Sequence, residues 1–267
     1  MEKVKPLKQF GQNYLLDQNI LNKIADEINP QPGDHILEIG PGTGALTEKL
    51  IAKAGKLTAV EIDNRVIENL QLRFPSLNLI NTDFLEVDLR SVKEKTKLRV
   101  AGNIPYYLTS SILFKLIEYN DIVEDAVLMT QLEVAQRISA KKGTKEYGIL
   151  AVLLQFFCDV KFCFKVSPNV FYPRPKIFSA VIHLTLKNVD LSGTSKKTFI
   201  SVVKAAFGNR RKTIKNSFGN SIFAQLNFEK SGIDLSLRAE QLGLDDFLTL
   251  SRFVDNEAIR RQNNSNK

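Results

Sequence analysis

Five short apolar runs in the first half of this chain leave few ways for it to fold. They are HILEIG (35–40), KLTAVEI (56–62), LNLIN (77–81), LRVAGN (98–103) and DAVLMTQ (125–131). Helical stretches alternate with them: ALTEKLIAKA follows the first, and NRVIENLQLRF after the second sets Val66, Ile67, Leu70 and Phe74 on one helical face. Strands that are apolar almost throughout, alternating with helices, imply a parallel sheet covered on both faces. FCFKVSPNVFYPRPK and IFSAVIHLTL read as later strands joined by a proline-rich loop. After Leu186 the texture changes. KNVDLSGTS is a polar connection, and beyond it Phe199, Val202, Val203 and Ala206 recur at helical spacing, as does LDDFLTLSRFVDNEAI. The expectation is an α/β domain over 1–186 and a small helical domain over 187–267, with RRQNNSNK as a frayed tail.

Composition narrows the function classes. Hydrophobic residues make up 43% of 267, enough for a full core without covalent staples. Cys158 and Cys163 are the only cysteines and His35 and His183 the only histidines, so neither a disulfide framework nor a metal site is expected. MEKVKPLKQFGQNYLL lacks the apolar core of a signal peptide, and no run reaches the length of a membrane span. A cytoplasmic protein, monomeric by default, is the expectation. Its net charge of +8 is unevenly spread: residues 187–267 hold 14 Lys+Arg against 8 Asp+Glu. A polyanion, nucleic acid first, is expected to meet this part, the alternative being a merely soluble basic surface.

LEIGPGTG places Gly40, Gly42 and Gly44 directly after the first strand and before a helix. Glycines there let the backbone pass close to a ligand, and the helix N-terminus offers free N–H groups. The second strand ends at Glu61, where a carboxylate can accept both hydroxyls of a ribose. A nucleoside-containing cofactor follows, although Gly40, Gly42 and Ala45 also satisfy the dinucleotide fingerprint. Two features favour S-adenosylmethionine. Glu38, two residues before the first glycine, would welcome a cationic amino group and repel a pyrophosphate. Asp83 and Phe84, after the third strand, could hydrogen-bond and pack against an adenine; Asp83 alone reads equally as a turn cap.

NIPY follows the fourth strand, at the carboxyl end of the sheet, where open α/β folds bind ligands. The Asn103 side-chain oxygen and the Ile104 carbonyl are acceptors, Pro105 fixes the turn and Tyr106 offers a flat face. Two convergent acceptors suit an exocyclic amine with two N–H bonds, such as that of adenine. Holding both hydrogens would aim the nitrogen lone pair at a methyl sulfonium, and no strong base would be needed.

FGQNYL, LEIGPGTGALT, VEID, NIPYYLTSSIL, LEVAQRI, GTKEYG, VFYPRPKIFSAV and AFGNRRKTIKNSF occur in this order. In that order the chain resembles, nearly end to end, the KsgA-type small-subunit rRNA adenine dimethyltransferases. The resemblance implies a Rossmann-like S-adenosylmethionine-dependent methyltransferase domain and transfer of methyl groups to two adjacent adenosines in the terminal hairpin of 16S rRNA, late in small-subunit assembly. It implies that Gln12, Asn13, Leu15, Gly40, Glu61, Asp83 and Asn103 line the cofactor pocket. Asn103 and Ile104 would hold the target amine, with Tyr106 on one face of the flipped adenine and Phe171 on the other. Arg210, Arg211, Lys212 and Lys215, the densest basic cluster, would meet RNA phosphates. The chain departs from the pattern at Tyr14, where phenylalanine is usual, and at Leu132, where many relatives carry lysine. An Erm-type 23S rRNA dimethylase and an assembly factor with secondary methylation are the rival readings.

Overall fold

The computed structural model describes residues 5–7, 10–54, 56–191 and 193–265, with side chains to 260. Two compact units emerge, Met1–Ala135 with Phe157–Asn188, and Gln136–Phe156 with Val189–Lys267.

In the first unit, strand β1 (Tyr14–Leu15) leads into helix α1 (Gln18–Ile28). Asp17 caps that helix, its carboxylate accepting from Ile20 N, and Leu21, Ile24, Ala25 and Ile28 form its buried face. Strand β2 (His35–Ile39), helix α2 (Ala45–Ile51), strand β3 (Lys56–Glu61), helix α3 (Asn64–Arg73) and strand β4 (Asn78–Asn81) follow. The chain continues through helix α4 (Leu89–Val92), strand β5 (Leu98–Asn103), helix α5 (Thr109–Glu118), strand β6 (Val123–Gln131) and helix α6 (Leu132–Ile138). Helix α7 (Ile149–Phe157) leads to strand β7 (Cys158–Val166), strand β8 (Phe171–Tyr172) and strand β9 (Ser179–Leu186).

Seven strands form one sheet in the order β4-β3-β2-β5-β6-β9-β7, and β1 pairs with β8 in a separate ribbon. The strands from β4 to β6 are parallel, while β9 runs antiparallel to both β6 and β7. The order reverses between β2 and β5, paired Ile39 to Gly102, and the carboxyl ends at such a switch leave a crevice. Strand β2 is buried at every position, the polar His35 and Glu38 included, and Leu21, Ile36, Leu50, Leu70 and Val181 lie in one core cluster.

The second unit holds helix α8 (Lys196–Ala206), helix α9 (Ile214–Gly219) and helix α10 (Leu244–Ser265). Residues 136–156, which the sequence reading kept in the α/β domain, group with these helices. Phe156 stacks on Phe199 with ring centroids 4.2 Å apart, and Gly143 N donates to the Glu240 carbonyl at 2.8 Å. The segment read as a frayed tail continues α10 as far as Ser265, its last two residues lying outside those described. No helix is long and apolar enough to cross a membrane among the described residues.

Candidate active site

Between β2 and α2 the backbone turns through Gly40, Gly42 and Gly44, all at positive φ. At Gly42 a side chain is excluded by packing as well as by φ, since a Cβ would stand 2.9 Å from a ring carbon of Tyr14. Gly42 N donates to one oxygen of Glu61 and Asp63 N to the other, each at 2.9 Å. The carboxylate at the end of β3 therefore ties the loop in place, and each of its oxygens keeps a lone pair for a further donor. Burial pushes the Glu61 carboxyl above the usual range despite these two bonds. Glu38 is deeper, 1% exposed, and accepts from the Thr47 hydroxyl at 2.7 Å. Burial raises its carboxyl to about 7, with the negative charge of Glu61 adding to the shift.

The segment before β1 is held against the same loop cluster. Gln12 accepts from Leu7 N and donates through Nε2 to Asp63, both at 2.8 Å. Asp63 is held low by Arg65, whose Nη2 lies 2.6 Å from its carboxylate. Tyr14 borders the cavity, and its hydroxyl is buried with no partner among the described residues.

At the end of β5, Asn103 Nδ2 donates to the Asn13 carbonyl at 2.8 Å. A carbonyl only accepts, so this bond fixes which end of the amide is which and turns Oδ1, the acceptor, the other way. Ile104 N donates to the Met129 carbonyl of β6 at 3.3 Å, and Pro105 opens a tight turn over Tyr106–Leu108. The Tyr106 hydroxyl bonds the Ser179 hydroxyl at 2.6 Å, and Ser179 is wholly buried. Burial raises the Tyr106 phenol, so the ring is neutral at physiological pH.

One cavity brings together Gln12, Asn13, Leu15, Glu38, Gly40, Gly42, Glu61, Asp83, Phe84, Asn103, Ile104, Pro105 and Tyr106. Asp83 both borders it and caps the following turn, accepting from Leu85 N at 2.8 Å. Gly44 is not on its wall. A Cβ there would lie 2.6 Å from Phe74, so this glycine serves the packing of α2 against α3. Phe171, expected to cover one face of a bound base, is 5% exposed in the core and does not line the cavity. Its pairing with buried Leu15 turns it inward, and its neighbour Tyr172 is the exposed ring. Sequence reasoning missed Ser179 and Tyr107; the Tyr107 ring packs over Gly11 and is 62% exposed.

The basic cluster divides in the second unit. Arg210 donates to the Tyr147 carbonyl at 3.1 Å and pairs with Glu240 at 3.4 Å, which makes it a strut for residues 145–147. Lys215 pairs with Glu229 at 3.1 Å. Arg211 and Lys212 are exposed with no ion pair among the described residues.

Residues 4–256 match the model of a family described as ribosomal RNA adenine dimethylase. The chain belongs to that family. Among relatives of this dimethylase, a ribosomal RNA small subunit methyltransferase A of Chlorobium phaeobacteroides (strain BS1) is 45% identical over 243 residues, covering 91% of each chain. The crystal structure of a dimethyladenosine transferase from Plasmodium falciparum superposes with a TM-score of 0.76 at 27% identity, covering 88% of this chain and 95% of that one. The 23S rRNA methyltransferase ErmE superposes with a TM-score of 0.65, also at 27% identity, covering 91% and 100%.

Proposed function

We propose that this dimethylase transfers methyl groups from S-adenosylmethionine to the exocyclic amines of two adjacent adenosines in the 3′-terminal hairpin of 16S rRNA, within the immature small ribosomal subunit in the cytoplasm. The single observation that carries the reading is the orientation of the Asn103 amide, which points an acceptor rather than a donor away from Asn13. The small-subunit identity of the 45% relative favours 16S over 23S rRNA.

The residues present fit the cofactor. The unpartnered Tyr14 hydroxyl and the spare lone pairs of Glu61 are polar groups for a ribose, and the cavity at Gly40 has open space where a Cβ would stand. Glu61 would hold the ribose, Asp83 and Phe84 the adenine, and Glu38 the amino end, with Gln12, Asn13 and Leu15 closing the pocket. When bound, S-adenosylmethionine supplies an electrophilic methyl group.

In the first transfer Asn103 Oδ1 and the Ile104 carbonyl accept the two N–H bonds of the target amine, which directs its lone pair at that methyl; in the second, the methylated amine has rotated and a single N–H is left to be held. Tyr106 stacks on the base, its ring angle fixed by Ser179. Once the nitrogen has gained a methyl, its proton leaves to water, so the site needs no strong base. Arg211 and Lys212 meet RNA phosphates.

Labelled S-adenosylmethionine, offered with unmethylated small subunits, large-subunit RNA and duplex DNA in parallel, tests the reading. Label confined to the small-subunit RNA is expected; label in the large-subunit RNA would overturn it.

A further inference from the structure

Residues 160–189 contain Lys161, Lys165, Arg174, Lys176 and Lys187 and no acidic residue. Lys161 pairs with Glu27 and Lys187 with Asp159, whereas Lys165, Arg174 and Lys176 form no ion pair among the described residues. The same stretch exposes large apolar side chains that folding would normally bury: Tyr172 at 58%, and Ile177 and Phe178 at 43% each. The Lys165 ammonium sits 3.7 Å from the centroid of the Phe178 ring. Free cations interleaved with exposed rings suit a polyanion that carries flat bases, and a protein partner would not need the uncompensated charge.

Position makes the patch specific. Ser179, which holds the Tyr106 hydroxyl at 2.6 Å, is the next residue after Phe178. Adjacent Cα atoms lie about 3.8 Å apart, so Phe178 is one residue step from the anchor of the base-stacking ring. Strand pairing strengthens this link: Ser179 lies opposite Gln131 of β6 and Val166 of β7, and Leu132 N donates to the Phe178 carbonyl at 3.0 Å. The platform is therefore mounted on the sheet itself.

We infer that Phe178 and Lys165, with Lys176 two residues earlier in the chain, form a docking platform for the single-stranded nucleotides next to the adenosine being methylated. Phe178 stacks on a neighbouring base and Lys165 faces a phosphate. The inference rests on the RNA-methylating reading above and names the surface that positions the strand once a base is out of its stack. For a substrate with two adjacent target adenosines, one enters the Tyr106 pocket while its neighbour rests on Phe178.

Fluorescence anisotropy of the full chain with a labelled single-stranded oligoadenylate, over a range of salt, tests the platform. Phe178→Ala and Phe178→Leu are expected to weaken binding roughly 5- to 150-fold, while Phe178→Trp restores it. Lys165→Ala is expected to lower the salt slope of log K by about 0.7. Leu72→Ala, on an exposed apolar residue of α3, serves as the control for general surface effects. With small subunits as substrate, the Phe178→Ala loss should fall more on KM than on kcat. Wild-type affinity in both Phe178→Ala and Lys165→Ala would overturn the inference while leaving the methylation reading intact. So would a change in sedimentation for Phe178→Ala without a change in RNA binding, which would make the patch a contact between copies of the chain. A wild-type protein that labels no small-subunit RNA would remove the methylation reading and the platform together.

Discussion

Asn103 donates through Nδ2 to the backbone carbonyl of Asn13 at 2.8 Å, so the residue proposed to hold the target amine also holds the segment that closes the cofactor pocket. Two halves of the site thus share one amide. Asn103→Ala loses both the acceptor and the tether, and Asn103→Asp places a second acceptor against a carbonyl. Both are expected to cut methyl transfer by at least about 10²–10³-fold, the scale seen when one positioned hydrogen-bonding group is removed from a reacting centre. Calorimetry with S-adenosylhomocysteine should show weaker binding for Asn103→Asp than for Asn103→Ala.

Ser179 and Tyr106 should behave as one device. Loss of a single buried hydroxyl pair costs about 1 kcal/mol, roughly fivefold in kcat/KM. Ser179→Ala and Tyr106→Phe are each expected to show that loss. The double variant should lose little more than either alone, because the two changes remove the same bond. Additive losses would separate the residues.

Much of this was legible from adjacent residues, and the exceptions share a cause. Asn103, Ile104 and Tyr106 carry their chemistry within one turn, and the glycine loop announces itself between a strand and a helix. The inward facing of Phe171 was not legible, because it is set by pairing with Leu15, far away in the sequence. Ser179 lies 73 residues from Tyr106, and no local pattern links them. Within 136–156 the run ILAVLLQF (149–156) is as apolar as the strands before it, and only contacts such as Phe156 on Phe199 assign the segment to the helical unit.

Glu38 gives the site a pH dependence. Burial raises its carboxyl to about 7, so the folded state holds a proton that the unfolded chain releases near 4.5. This contribution to stability is present at low pH and declines as pH rises from about 4.5 through about 7. Receiving a cationic amino group requires the ionised form. Affinity for S-adenosylhomocysteine is expected to strengthen between pH 6 and 8, by up to about tenfold per unit below the titration. Glu38→Gln should flatten that rise, and an unchanged slope would remove Glu38 from the amino end of the pocket.

A second titration belongs to stability alone. His183 Nδ1 meets Glu27 and its Nε2 meets Asp125, each at 2.9 Å, so the two carboxylates favour the imidazolium form of the ring. Arg99 braces Asp125 at 2.7 Å and also pairs with Asp34, while Lys161 braces Glu27 at 2.7 Å beside Cys163. The bond to Asp125 raises the His183 pKa above its usual value of 6.5, so this stabilisation is full below 6.5 and lost as pH climbs through the folded value. Burial alone would raise Glu27 and Asp125, but bonds from Lys161, Arg99 and His183 bring both below their usual values; their contribution is lost as pH falls. The network is strongest between about 4.5 and 6.5. His183→Gln is expected to lower Tm most within that window, and equal losses at pH 5.5 and pH 9 would contradict the pairing.

In the helical unit, the basic cluster should split by role. Arg211→Ala and Lys212→Ala are each expected to reduce the salt slope of small-subunit binding by about 0.7–0.9 without lowering Tm. Arg210→Ala should lower Tm, because it removes the bond to the Tyr147 carbonyl.

The most direct test is mass spectrometry of nucleosides from unmethylated small subunits after incubation with S-adenosylmethionine and either the wild-type chain or Asn103→Ala. Dimethyladenosine at two adjacent positions of the terminal hairpin with the wild-type chain, and its loss with the variant, is the expected result. Dimethylation by Asn103→Ala at the wild-type rate would contradict the site assigned here.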